Sequence, residues 1–176
     1  MKNHILRVND ALYLASVTIA GLSLTTIAII IPWGIFGRYV LGTGSRWPEP
    51  VAILLVVVFT FLGAAAAYRA NAHMAVVAFS GRLRGVAATL CQLGVQLLMG
   101  LVALFMLIWG VRLCIATWGQ FNAALPGLRV GVAYAPIPIG AALTLIFVIE
   151  RLVFGDQSQR RVLRLDPDLE PEEGVA

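Results

Sequence analysis

The sequence predicts an all-α integral membrane protein with four transmembrane helices and both termini in the cytoplasm. Composition is the first reason. Of the 176 residues, 60% are apolar and only 12% are charged, against about 45–50% and roughly 25% in soluble domains. The mean hydropathy is +0.88. A soluble domain of this size could not cover its surface with so few charges. The second reason is that the charges fall between four long apolar runs, and the third is that the basic residues around those runs are unevenly shared. Disordered chains and ordinary soluble enzymes are excluded at once.

The four charge-free runs cover residues 11–37, 51–68, 85–111 and 130–149, with lengths of 27, 18, 27 and 20. A helix rises about 1.5 Å per residue and the hydrocarbon core is about 30 Å thick, so about 20 residues cross it. Backbone in lipid must satisfy its own hydrogen bonds, which makes helices the default. The period-2 alternation of a membrane barrel is absent. The expected helices are therefore about 11–37, 48–69, 85–111 and 136–154, forming a membrane domain of residues 1–154.

Lys2 and Arg7 before the first run imitate a secretory signal. The apolar stretch is too long for a signal's core of about 7–15 residues, so it reads as an uncleaved first helix. The second helix opens with Pro48-Glu49-Pro50 and the fourth with Pro136-Ile137-Pro138. Proline suits a first turn, where the N–H groups have no intrahelical partner. Glu49 in a first turn also complements the helix dipole. With the prolines read at helix starts, no break is expected at the membrane midplane. Gly155 is placed to close the fourth helix.

Two connections are longer than turns. Residues 70–84 read as a short helix lying in the inner interface. Residues 112–135 contain Trp118, Phe121, Leu125 and Leu128 with Pro126-Gly127 as a breaker; they are apolar enough to lie on the outer surface or against a partner. Residues 155–176 form a polar tail expected to be disordered.

Basic residues set the orientation. Lys2, Arg7, Arg69, Arg82, Arg84, Arg151, Arg160, Arg161 and Arg164 fall on one side, and Arg38, Arg46, Arg112 and Arg129 on the other. Nine against four places both termini inside. Trp33, Trp47, Trp109 and Trp118 cluster near the outer boundary. The net charge of +4 is scattered between apolar runs without a basic face, so nucleic acid is not the expected partner; membrane lipid is.

Every Asp, Glu, Lys, Arg and His falls at or beyond a run boundary, and a membrane-embedded charge is where a transport function would show. A proton-coupled exporter with a membrane carboxylate, a bundle holding haem through paired histidines, and a thiol–quinone enzyme with close cysteine pairs are all disfavoured. Cys91 and Cys114 read as packing residues. No phosphate loop, carboxylate cluster or metal spacing is present, so no catalytic, cofactor-binding or metal residues are assigned. Gly63 and Ala67 form a small-xxx-small pair that suits either packing within the subunit or a face for another protein's helix.

The ordered set Gly37-Arg38-Tyr39-Val40, Trp47-Pro48-Glu49, Phe61-Leu62-Gly63-Ala64-Ala65, Tyr68-Arg69 and His73 resembles the small membrane (Q) subunit of tripartite ATP-independent periplasmic (TRAP) transporters. The stretch Ala135-Pro136-Ile137-Pro138-Ile139-Gly140 resembles that family too. One departure stands out: the family's double acid is here Glu49-Pro50, so a role resting on the second acid is lost or moved. The resemblance implies a multi-pass protein of the bacterial inner membrane that is not an enzyme. It implies a large membrane transport subunit with the substrate and sodium sites, and a periplasmic substrate-binding protein that delivers an organic acid, such as a C4-dicarboxylate or a sugar acid. The small subunit would support the large one and help form the docking surface. The alternatives are a self-sufficient small homo-oligomeric transporter or channel, or an accessory scaffold outside transport.

Residues matching the resemblance are candidates for subunit contact or docking: Arg38, Trp47, Glu49, Arg69, His73, Pro136 and Pro138, with Gly63 and Ala67 beside them. Each also has a plainer reading. Arg38 either snorkels at the outer boundary or pairs with Glu49 across the hairpin; Glu49 otherwise serves its helix dipole. Trp47 reads as an interfacial anchor, Arg69 as an orientation charge alone, and His73 as a solvated loop residue or a structural contact.

Overall fold

The computed structural model describes residues 2–42, 47–70, 86–122, 125 and 127–154. Five helices cover most of them: α1 Lys2–Tyr39, α2 Pro48–Arg69, α3 Val86–Ala116, α4 Val130–Tyr134 and α5 Pro136–Phe154. Four helical stretches are long and apolar enough to cross a membrane: α1, α2, α3, and α4 with α5. No strand occurs among the described residues. Apart from Ala70, the expected interfacial helix over 70–84 lies outside them, as does the tail over 155–176.

α1 starts nine residues earlier than the charge-free run. The reason is a buried stripe: Leu6, Asn9, Tyr13, Ser16, Ala20 and Ser23 are all out of solvent, at alternating spacings of three and four, the signature of one helix face. Arg7 lies off this stripe and is exposed, so it does not stop the helix. The stripe's hydroxyls are satisfied locally: Ser16 Oγ donates to the Leu12 carbonyl and Ser23 Oγ to that of Ile19, each at 2.8 Å. Pro32 also lies inside α1. That corrects the expectation that prolines occur only at helix starts, although Pro32 is seven residues from the end of α1 and far from its middle. Proline is tolerated inside membrane helices, where neighbouring groups compensate the lost bond.

α2 begins on Pro48 and α5 on Pro136, each proline in a first turn. α3 continues past Arg112 to Ala116, because Arg112 turns its guanidinium over the ring of Trp109, 5.3 Å from the centroid, and does not end the helix. Beyond α3 the chain folds back on itself. Phe121 and Arg129 form an antiparallel bridge, Asn122 N–H donates to the Leu128 carbonyl and Val130 N–H to that of Gln120, both at 2.9 Å. Gly127 makes the turn at φ 104°, a conformation that favours glycine. Arg129 lies over the rings of Trp118 and Phe121, at 5.3 and 5.9 Å. The described residues between α3 and α4 thus turn back through a compact hairpin carried by α3.

The spans stand in a row: α1 packs on α2, α2 on α5, and α5 on α3, with α1 and α5 barely meeting. Large apolar side chains stay exposed along both flanks, including Leu22 and Ile29 on α1 and Leu97, Leu101 and Phe105 on α3. The best-buried cluster joins Tyr13, Ala65, Ala66, Tyr68, Phe147 and Val148, where α1, α2 and α5 converge. Two seams come very close. A Cβ on Gly140 would lie 2.7 Å from the carbonyl oxygen of Phe61, and one on Gly110 would lie 3.1 Å from Pro138 Cδ. Glycine therefore seats α5 against α2 and, at the opposite face, α3 against α5.

Candidate functional site

At one end of the helices three charged side chains meet inside the protein. Arg69 is the last residue of α2, Asp10 lies on α1 and Glu150 on α5. Arg69 Nε donates to Glu150 Oε2 at 2.9 Å, and its Nη2 donates to Glu150 Oε1 and to Asp10 Oδ1, both at 2.8 Å. The Arg69 and Glu150 side chains are each 2% exposed and that of Asp10 is 13%. The paired contact between guanidinium and Glu150 is the parallel geometry that gives arginine–carboxylate pairs their strength and direction. Tyr13 and Phe147 wall the guanidinium, with ring centroids at 5.7 and 5.3 Å. Arg151, next along α5, lies 5.9 Å over the Tyr68 ring.

The expectation that Arg69 serves only to orient the chain is thereby corrected in its surroundings: the residue is buried and ties three helices. Each member does sit at the edge of an apolar run, as the sequence has it. A run edge is not a solvent boundary, however, when the ends of three helices pack on one another. Mutual pairing offsets the cost of removing these charges from water. Arg69 Nη1 is also buried and makes no hydrogen bond. Asp10 and Glu150 escaped the sequence analysis altogether. The Asn9-Tyr13-Ser16 stripe was the available signal, since it shows that α1 is already buried beside Asp10.

At the opposite end, Arg38 closes α1 and Glu49 opens α2. Arg38 Nη2 lies 3.7 Å from Glu49 Oε2, with side chains 52% and 75% exposed. That distance is too long for a hydrogen bond, so the two charges face each other loosely across the hairpin. Between α1 and α2 a groove of about 510 Å³ runs inward from this pair. Ile31, Ile35, Ile53 and Val56 form its walls, with Gly34 and Ala52 between them. Gly34 is required here, because a Cβ would meet Pro48 Cβ at 2.9 Å.

The remaining candidates are placed as follows. Trp47 precedes α2 and is exposed. Gly63 faces α1, where an added Cβ would reach Ala20 at an ordinary 3.8 Å; Ala67 is half-buried, while its neighbours Ala65 and Ala66 are fully packed. Pro138 packs on Gly110 and Pro136 opens α5. His73 lies outside the described residues. Cys91 and Cys114 are half-buried free thiols. Among the described residues no three of His, Cys, Asp and Glu gather as metal ligands. The arrangement is suited to bracing helices and to meeting other molecules at its flanks.

Residues 27–157 match the family described as tripartite ATP-independent periplasmic transporters, DctQ component. The match takes in Arg38, Glu49, Arg69 and Glu150, while Asp10 precedes it. No curated protein matches the chain.

Proposed function

Because the chain belongs to the DctQ family, the small membrane component of tripartite ATP-independent periplasmic transporters, we propose that it is the non-catalytic bracing subunit of a binding-protein-dependent secondary transporter for organic acids. In this reading a large membrane subunit carries the substrate and sodium sites. A periplasmic protein delivers the acid, and this chain supports the large subunit in a bacterial inner membrane. The Arg38 end then faces the periplasm, where the exposed Arg38–Glu49 pair and the hairpin after α3 contribute to docking.

One observation carries the reading. The charged side chains of the described helices lie toward helix ends, and the buried ones among them are bonded to each other. An ion or an anionic substrate needs charged groups or broken helices near the midplane. Here the middles of the spans carry no charge: most side chains there are apolar, many of them exposed for lipid or protein, and hydroxyls such as Ser23 and Thr144 are bonded to their own helix. The chain reconstituted alone in liposomes should move no organic acid. Uptake should appear when the large subunit, the binding protein and a sodium gradient are supplied. Substrate-specific uptake by this chain alone would overturn the proposal in favour of a self-sufficient small transporter.

A further inference from the structure

The groove between α1 and α2 has features that bracing does not use. It begins at two opposite charges and continues between aliphatic walls. From Ile31 to Tyr39 it extends about 12 Å at about 1.5 Å per residue. One leaflet of the hydrocarbon core is about 15 Å deep. The groove therefore starts at the membrane boundary and stops within a single leaflet. Its volume lies inside the ~300–1,000 Å³ range of small-molecule sites.

We infer that this groove holds one phospholipid with a zwitterionic headgroup carrying a primary ammonium. Its phosphate meets Arg38, its ammonium meets Glu49, and one acyl chain lies along Ile31, Ile35, Ile53 and Val56. The charges dictate the headgroup. Arg38 has donors to spare and Glu49 has acceptors to spare, since the two sit too far apart to satisfy each other. A phosphate takes the first set and an ammonium the second. An anionic headgroup without an ammonium would leave Glu49 repelled, and a quaternary ammonium could not donate to it. Depth argues against a partner helix as the occupant, because a crossing helix needs contact through both leaflets and this groove serves only one. The inference rests on the membrane spans and the groove alone, so it stands or falls separately from the assignment of a transport partner.

The test uses the complete chain, in the membrane assembly with which it purifies, stripped of lipid and analysed by native mass spectrometry. Phosphatidylethanolamine, phosphatidylcholine and phosphatidylglycerol are added separately. Phosphatidylethanolamine should be retained about threefold to fivefold more tightly than the other two, the effect of one ion pair at a mostly exposed carboxylate. Glu49→Gln should erase that preference, Arg38→Gln should weaken retention of all three, and Val56→Trp should block it by filling the groove. Equal retention of the three lipids, unchanged by Glu49→Gln and Arg38→Gln, would reduce the groove to ordinary lipid contact and overturn the inference. A photo-crosslinking side chain at Ile53, in native membranes, supplies a readout independent of folding in the variants. Attachment to lipid is expected; attachment to a protein would make the groove a helix-docking seam.

Discussion

Arg69 and Glu150, 81 residues apart, grip each other through two hydrogen bonds of 2.9 and 2.8 Å at the packed ends of α2 and α5. Removing one partner leaves the other charged and dry, which costs about 3–5 kcal/mol, whereas replacing both by apolar groups is often neutral. Arg69→Met should therefore lower the thermal stability of the purified protein sharply. Arg69→Met with Glu150→Leu should recover much of the loss, leaving Asp10 as the residual. Equal melting of the single variant and the native chain would show that the pair carries no such weight.

Asp10 makes one bond to Arg69 and is the least buried of the three. Asp10→Asn should therefore destabilise less than Glu150→Gln, the residue that accepts twice. Parallel melting curves in one detergent check the order, and the reverse order would mean that α1 and not α5 is the principal anchor.

Gly140 and Gly63 separate close packing from mere smallness. Gly140→Ala drives a methyl to 2.7 Å from the Phe61 backbone, while Gly63→Ala meets only van der Waals distances. The first should cost about 1–3 kcal/mol, the usual range for overpacking. The second should stay within about 0.5 kcal/mol. Chemical or thermal denaturation distinguishes them directly.

Charge reversal at Arg38 or Glu49 should leave melting nearly unchanged, because an exposed pair contributes about 0–1 kcal/mol. Transport by the assembled complex should fall with either reversal, and the double swap should partly restore it. Full activity of both single reversals would leave these residues as ordinary boundary charges.

Topology is open to chemical labelling. With Cys91 and Cys114 replaced, a cysteine at Thr43 or Asn122 should react with an impermeant thiol reagent in intact spheroplasts, and one at Ser158 should not. Labelling at Ser158 alone would reverse the orientation drawn from the basic residues.

The span count was legible because lipid makes one demand on every residue of a helix, and 176 residues with few charges satisfy it in four places. The starts of α2 and α5 were legible because Pro48 and Pro136 act locally. The beginning of α1 was not: it depends on Leu6, Asn9 and Tyr13 being buried by other helices, and a charge such as Arg7 off the buried face has no power to end a helix. The ion triad was less legible still. Its members are 59 and 81 residues from Arg69, and an isolated charge beside an apolar run looks the same whether it reaches for water or for a distant partner. Close approach is likewise a property of pairs, which is why Gly63 drew attention and Gly140 opposite Phe61 did not.

The row of four spans has a geometric effect in the plane of the bilayer. Cylinders about 10 Å across, set four in a line, have an outline about a quarter longer than the same four set two by two. More of the molecule's edge is therefore presented to the two-dimensional fluid around it. A neighbour lying along one broad side can touch every span at once while the other side remains wetted by lipid.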